Sequence, residues 1–201
     1  MRNGGSAAKW GFSLRWGVAS AIGMGIGVIS WVVMGTGLEA LHFGSEAGIS
    51  RVLTSAAVGA TFGLPFGLAQ WFILRAALKP SASWVTATSL GYGAVFLIGD
   101  LLFPGEGATL LPPGQQALLG ALLGTAAAVP PSLLQWVLTL RSRIANAALW
   151  IPASMLSWAI GFGLSFFLRL SLGDLTFVAG PVVAAALTGI AMTWLVRGAH
   201  L

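Results

Sequence analysis

The chain has 201 residues, 57% of them hydrophobic and 7% charged, with a formal net charge of +5 and a mean hydropathy of +0.89. Soluble domains carry roughly 25% charged residues, so a water-facing surface over most of the chain is excluded. There is no cysteine, which also excludes disulfides, thiolate catalysis and cysteine-ligated metals.

Six apolar stretches, about 14–37, 50–78, 83–103, 115–140, 147–170 and 175–196, reach the roughly 20 residues needed to cross a hydrocarbon core. They lack the period-two alternation of barrel strands, so helices are predicted, since only helices and closed barrels satisfy every backbone group in lipid. The six use most of the chain, which reads as one integral membrane domain over 1–201. The first is too long for the apolar core of a cleaved signal peptide and reads as a retained anchor.

Helix one opens with WGVASAIGMG (16–25), helix three with WVTATSLGYG (84–93) and helix five with WIPASMLSWA (150–159). Counted from the Trp, each has Ala at plus three (Ala19, Ala87, Ala153) and a hydroxyl at plus four (Ser20, Thr88, Ser154). Small residues follow at plus seven (Gly23, Gly91, Ser157) and plus nine (Gly25, Gly93, Ala159). Helices two and four share a second pattern, with Gly59/Gly124, Pro65/Pro130, Leu68/Leu133, Gln70/Gln135 and Trp71/Trp136 in register. Helix six ends in a fainter copy, GIAMTWLVR (189–197). Self-similarity at a fixed period marks a repeat architecture. The prediction is three tandem helical hairpins, about 13–79, 80–143 and 144–201, in a pseudo-threefold arrangement about the membrane normal, as in parallel repeats.

Glycines four apart (Gly23 and Gly27; Gly59, Gly63 and Gly67; Gly120 and Gly124) supply the close backbone contact that holds helices together in lipid. They are read as internal packing rather than a dimer seam. Pro65 and Pro130 each remove a helical hydrogen bond and predict a kink. Gln70 and Gln135 then either staple neighbouring helices or close a cavity lined by the two kinked helices.

Eight basic residues (Arg2, Lys9, Arg15, Arg75, Lys79, Arg141, Arg143, Arg197) fall at one set of helix ends with no acid among them. All five acids (Glu39, Glu46, Asp100, Glu106, Asp174) fall at the other, joined by Arg51 and Arg169. By the positive-inside rule the basic ends and both termini are cytoplasmic. The basic charge is thus an orientation signal, and nucleic acid is not an expected partner. Trp16, Trp71, Trp84, Trp136, Trp150 and Trp194 share the basic ends and are read as interface anchors, because an indole has an apolar body and an N–H that seeks water.

Positions where a single copy is polar stand out. Asp100 corresponds to Val32 and Phe166, and Arg169 to Gly35 and Phe103. Ionisable groups at membrane depth are costly and usually meet a partner, so Asp100 is expected to pair with Arg51 or Arg169. Glu39, His42 and Glu46 are too loosely spaced for a strong metal site, and Asp174 reads as a helix N-cap. The two histidines, His42 and His200, lie at opposite ends, and there is no metalloprotease helix motif and no phosphate loop. No catalytic residue, metal or cofactor is therefore expected.

The run QWFILRAALKPSASWVTATSLG (70–91) resembles uncharacterised bacterial multi-pass membrane proteins with repeated Gln-Trp, Leu-Arg, Trp and Ala-Thr steps. The likeness covers helices two to five and fades in helix six, where Thr193 takes the place of the Gln. It implies an architecture but no activity and no site. The expected role is a non-catalytic inner-membrane accessory or scaffold subunit, partnered by lipid and other membrane subunits. The alternative is a small transporter or substrate-binding membrane component with an outward-facing site near Asp100 and Arg169.

Overall fold

The computed structural model describes residues 7–40, 49–79, 82–102, 112–172 and 176–198. They form helices α1 (Ala7–Ala40), α2 (Ile49–Leu78), α3 (Ser83–Leu102), α4 (Pro113–Gln135), α5 (Trp150–Leu172) and α6 (Thr176–Gly198). A π-helical turn, Trp136–Leu140, extends α4, and a 3-10 turn, Ala147–Leu149, leads into α5. All six helices are long and apolar enough to cross a membrane. His42 and Glu46, weighed above as metal ligands, and the expected cap Asp174 lie outside the described residues, as does the side chain of Glu39.

The helix ends follow from local chemistry. Proline opens α4, where its fixed φ suits the first turn and its missing N–H leaves no donor stranded. α2 stops at Lys79, whose φ of 46° is the left-handed turn that closes many helices. The Lys79 N–H bonds the Arg75 carbonyl at 3.2 Å. The Arg143 guanidinium donates to the Leu78 and Lys79 carbonyls at 3.1 and 3.2 Å, a cation placed on the negative end of the α2 dipole.

Each helix packs on the next, and α6 returns to α1, closing a ring. Glycine sets the approach. A methyl added at Gly59 would sit 2.5 Å from the Tyr92 carbonyl oxygen, and one at Gly63 would sit 2.8 Å from that of Thr88. Gly120 and Gly124 press in the same way on the Phe162 and Trp158 carbonyls of α5, and Gly23 and Gly27 on Pro65 and Phe62 of α2. The small-residue stripes thus form seams within the chain. Along α6–α1, Gly189 alone presses a backbone carbonyl, that of Ser13.

Two layers fill the ring. At the basic end lie Trp16, Trp84 and Trp150 with Leu74, Leu140 and Met192. Eight residues further along the same helices come Met24, Tyr92 and Trp158, packed with Phe66, Ala128 and Ala184. The opposite helix faces expose Leu14, Ile22, Val33, Leu118, Leu122 and Leu156, an apolar exterior that suits hydrocarbon. The π-helical turn keeps the first layer in register. Leu74 and Met192 follow Gln70 and Thr188 by four residues, whereas Leu140 follows Gln135 by five, and the wider turn absorbs the extra residue.

Candidate functional site

Trp16, Trp84 and Trp150 meet at the centre of the ring, with exposures of 0%, 0% and 2%. Their ring centroids are 5.9, 6.2 and 5.8 Å apart, mostly edge-on, the geometry that aromatic quadrupoles favour. This corrects the interface-anchor reading for those three. Each shares a helical face with a hydroxyl at plus four and, for Trp16 and Trp84, glycine at plus seven, and that face packs inward. Trp71 and Trp136 are half-buried. Trp194 is 58% exposed. The Arg75 guanidinium lies 5.4 and 4.4 Å from the ring centres of Trp71 and Phe72, a cation–π contact on the outside of α2.

A buried indole N–H needs an acceptor, and Gln supplies it from the neighbouring helix. Trp84 Nε1 donates to Gln70 Oε1 at 3.2 Å, and Trp150 Nε1 to Gln135 Oε1 at 2.8 Å. Because an indole can only donate, this turns each amide nitrogen the other way. Gln70 Nε2 donates to Ser20 Oγ at 3.2 Å, and Gln135 Nε2 to Thr88 Oγ1 at 2.8 Å. Each Gln therefore joins three helices: its own, the Trp-bearing helix after it and the hydroxyl-bearing helix before it. The glutamines act as staples.

The third indole is held differently. Trp16 Nε1 donates to Thr188 Oγ1 at 3.3 Å, and that hydroxyl donates to the Ala185 carbonyl. Packing identifies Thr188 as the counterpart of the glutamines. Gly27 abuts the Phe62 carbonyl and Gly161 the Gly180 carbonyl, and Gln70 and Thr188 each lie eight residues further on. Thr193, which the sequence puts in the Gln position, instead shares a 2.6 Å hydrogen bond with Ser13 and donates to the Gly189 carbonyl. The endings GLAQWFILR and GIAMTWLVR align on their Trp, but helix packing sets a different register.

At the acidic end, Arg51 Nε and Nη2 donate to Asp100 Oδ1 at 2.9 and 2.6 Å, with side-chain exposures of 39% and 17%. Arg169 lies exposed near the end of α5. Ion pairs still open to solvent contribute about 0–1 kcal/mol. Asp100→Asn should therefore cost no more than about that in thermal unfolding, whereas a loss above about 3 kcal/mol would mark a buried, essential charge pair.

The chain matches no known family, no curated protein and no solved structure. Among the described residues no three metal-ligating side chains cluster. The arrangement brackets helix to helix through buried side chains.

Proposed function

We propose that the chain is a non-catalytic multi-pass protein of a bacterial inner membrane, an accessory or scaffold subunit that packs laterally against other membrane proteins and lipid. In this reading it is built of three Trp-led hairpins, 13–79, 80–143 and 144–201, about a pseudo-threefold axis. Its basic ends and both termini face the cytoplasm, as the charge partition of the sequence implies. The bacterial setting follows from the likeness of 70–91 to uncharacterised bacterial multi-pass proteins.

One observation carries the reading. Side chains fill the axis of the bundle in two layers, and the cavity between them measures only about 20 Å³, far below the roughly 300–1,000 Å³ of ordinary ligand sites. What the molecule offers other molecules is its outside. The far half of α1 exposes Val28, Ile29, Trp31, Val32 and Val33, around most of its circumference. A transporting or substrate-binding component with a site near Asp100 and Arg169 draws less support, because Asp100 is already engaged by Arg51.

Extraction from its native membrane in a gentle detergent, followed by native mass spectrometry, tests the proposal. A second polypeptide should be retained in fixed stoichiometry, and a photo-crosslinking residue at Val33 should join the two chains. A chain recovered alone, or alone with a bound solute, overturns the scaffold reading.

A further inference from the structure

The bracket centred on α6 is half of those centred on α2 and α4: its link to α1 is made, and its link to α5 is missing. Gln70 and Gln135 each accept from an indole and donate to the plus-four hydroxyl of the preceding helix. Thr188 accepts from Trp16, but its side chain is too short to continue to Ser154, the plus-four hydroxyl of α5. Ser154 Oγ consequently has no hydrogen-bond partner among the described residues, although the residue is only 3% exposed. A buried hydroxyl left unsatisfied is unfavourable by several kilocalories in an apolar medium, and such groups in folded proteins usually have a protein or water partner.

Beside it lies the cavity between the two layers. It measures about 20 Å³, and Ser154, Thr188, Gln70 and Gln135 all line it. A water needs about 10–15 Å³ and two to four polar partners. Donors and acceptors remain to meet it. Each Gln Nε2 carries two N–H groups and spends one on a hydroxyl. Thr188 Oγ1 accepts one indole proton and has a second lone pair.

We infer that this cavity is a binding site for one ordered water, which bridges Ser154 Oγ on α5 to Thr188 Oγ1 on α6 and takes the place that the carboxamide nitrogen holds in the other two brackets. It accepts from a Gln N–H and donates to Thr188, with Ser154 as its third partner. The link from α6 back to α5 is therefore closed through solvent, while those from α2 to α1 and from α4 to α3 are closed by the Gln side chains themselves.

An experimental structure of the intact protein at a resolution that shows ordered waters decides the matter. Density within hydrogen-bonding distance of both Ser154 Oγ and Thr188 Oγ1 is expected. An empty cavity, or Ser154 turned onto the Trp150 carbonyl, overturns the inference. Thr188→Gln gives an independent reading. The longer side chain should displace the water, donate to Ser154 and accept from Trp16. The unfolding midpoint should then rise by roughly 2–4 °C, the shift that one net hydrogen bond gives a chain of this length. That gain should shrink in a Ser154→Ala background. If the gain is the same with and without the hydroxyl, the bridge does not exist. Should Thr188→Gln fail to fold, the density in the unaltered protein still decides.

Discussion

Trp84→Ala should lower stability by about 3–5 kcal/mol, the range for emptying a large aromatic site in a core, enough to abolish folding in many domains. Trp84 is fully buried, with its ring against Trp16 and Trp150 at 5.9 and 5.8 Å. Its removal also leaves Gln70 Oε1 without the indole donor, and stranding a buried acceptor costs about 1–3 kcal/mol. Trp194→Ala is the control: the same chemical change on an exposed ring should stay within about 0.5 kcal/mol. Thermal unfolding in one detergent compares the two. Trp84→Phe should fall between them, because a phenyl ring still fills part of the site while the pyrrole half of the indole, with its N–H, is lost. Equal effects at 84 and 194 would mean that the indole layer does not hold the bundle.

That contrast marks where the sequence is legible. Hydropathy places all six helices, because in hydrocarbon length and apolarity are the physical requirement. α1 alone is substantially longer than its apolar core, since AAKWGFSLR continues the helix below the hydrophobic stretch. The sequence also shows that Trp16, Trp84 and Trp150 are equivalent, but not which way they point. An indole at a helix end serves equally as an anchor or as a core residue. The deciding signal was the face it shares: Ser20, Thr88 and Ser154 at plus four, then glycine at plus seven in two of the three, a strip too small to be anything but a packing surface. Thr188 was harder to find. Nothing in its local sequence resembles the Gln-Trp step, and aligning the helix ends on Trp points to Thr193. Only the positions of Gly27 and Gly161 against their partner carbonyls set the register. Asp100 was legible as an ion-pair residue because a lone carboxylate near a helix end needs a cation, but choosing Arg51 over Arg169 required the packing of α2 on α3.

Gly124→Ala should also be clearly destabilising. The added methyl would overlap the Trp158 carbonyl oxygen and lie 2.9 Å from Phe162 Cβ, and a backbone carbonyl in a packed helix cannot step aside. Overpacking of this kind costs about 1–3 kcal/mol and sometimes more. The same α4–α5 seam also carries the Gln135–Trp150 bond of 2.8 Å, about three turns further along α4. Gly25→Ala is the opposite case. Nothing lies within 4 Å of its added methyl, and replacing a mid-helix glycine by alanine is favourable by up to about 1 kcal/mol. The two variants should therefore differ in sign when their unfolding midpoints are compared with the parent. Loss at both positions would show that the glycines serve backbone flexibility rather than close approach.

The proposed orientation places three outward-and-back hairpins in the membrane with the indole layer at the cytoplasmic end. Because the chain has no cysteine, single cysteines labelled with a membrane-impermeant maleimide in intact cells test it most directly. Ile49→Cys and Gly114→Cys should label from outside, whereas Lys79→Cys, Ala145→Cys and Gly198→Cys should label only after the membrane is opened. Labelling of position 79 or 145 in intact cells, or positions 49 and 114 found on opposite sides, would contradict it.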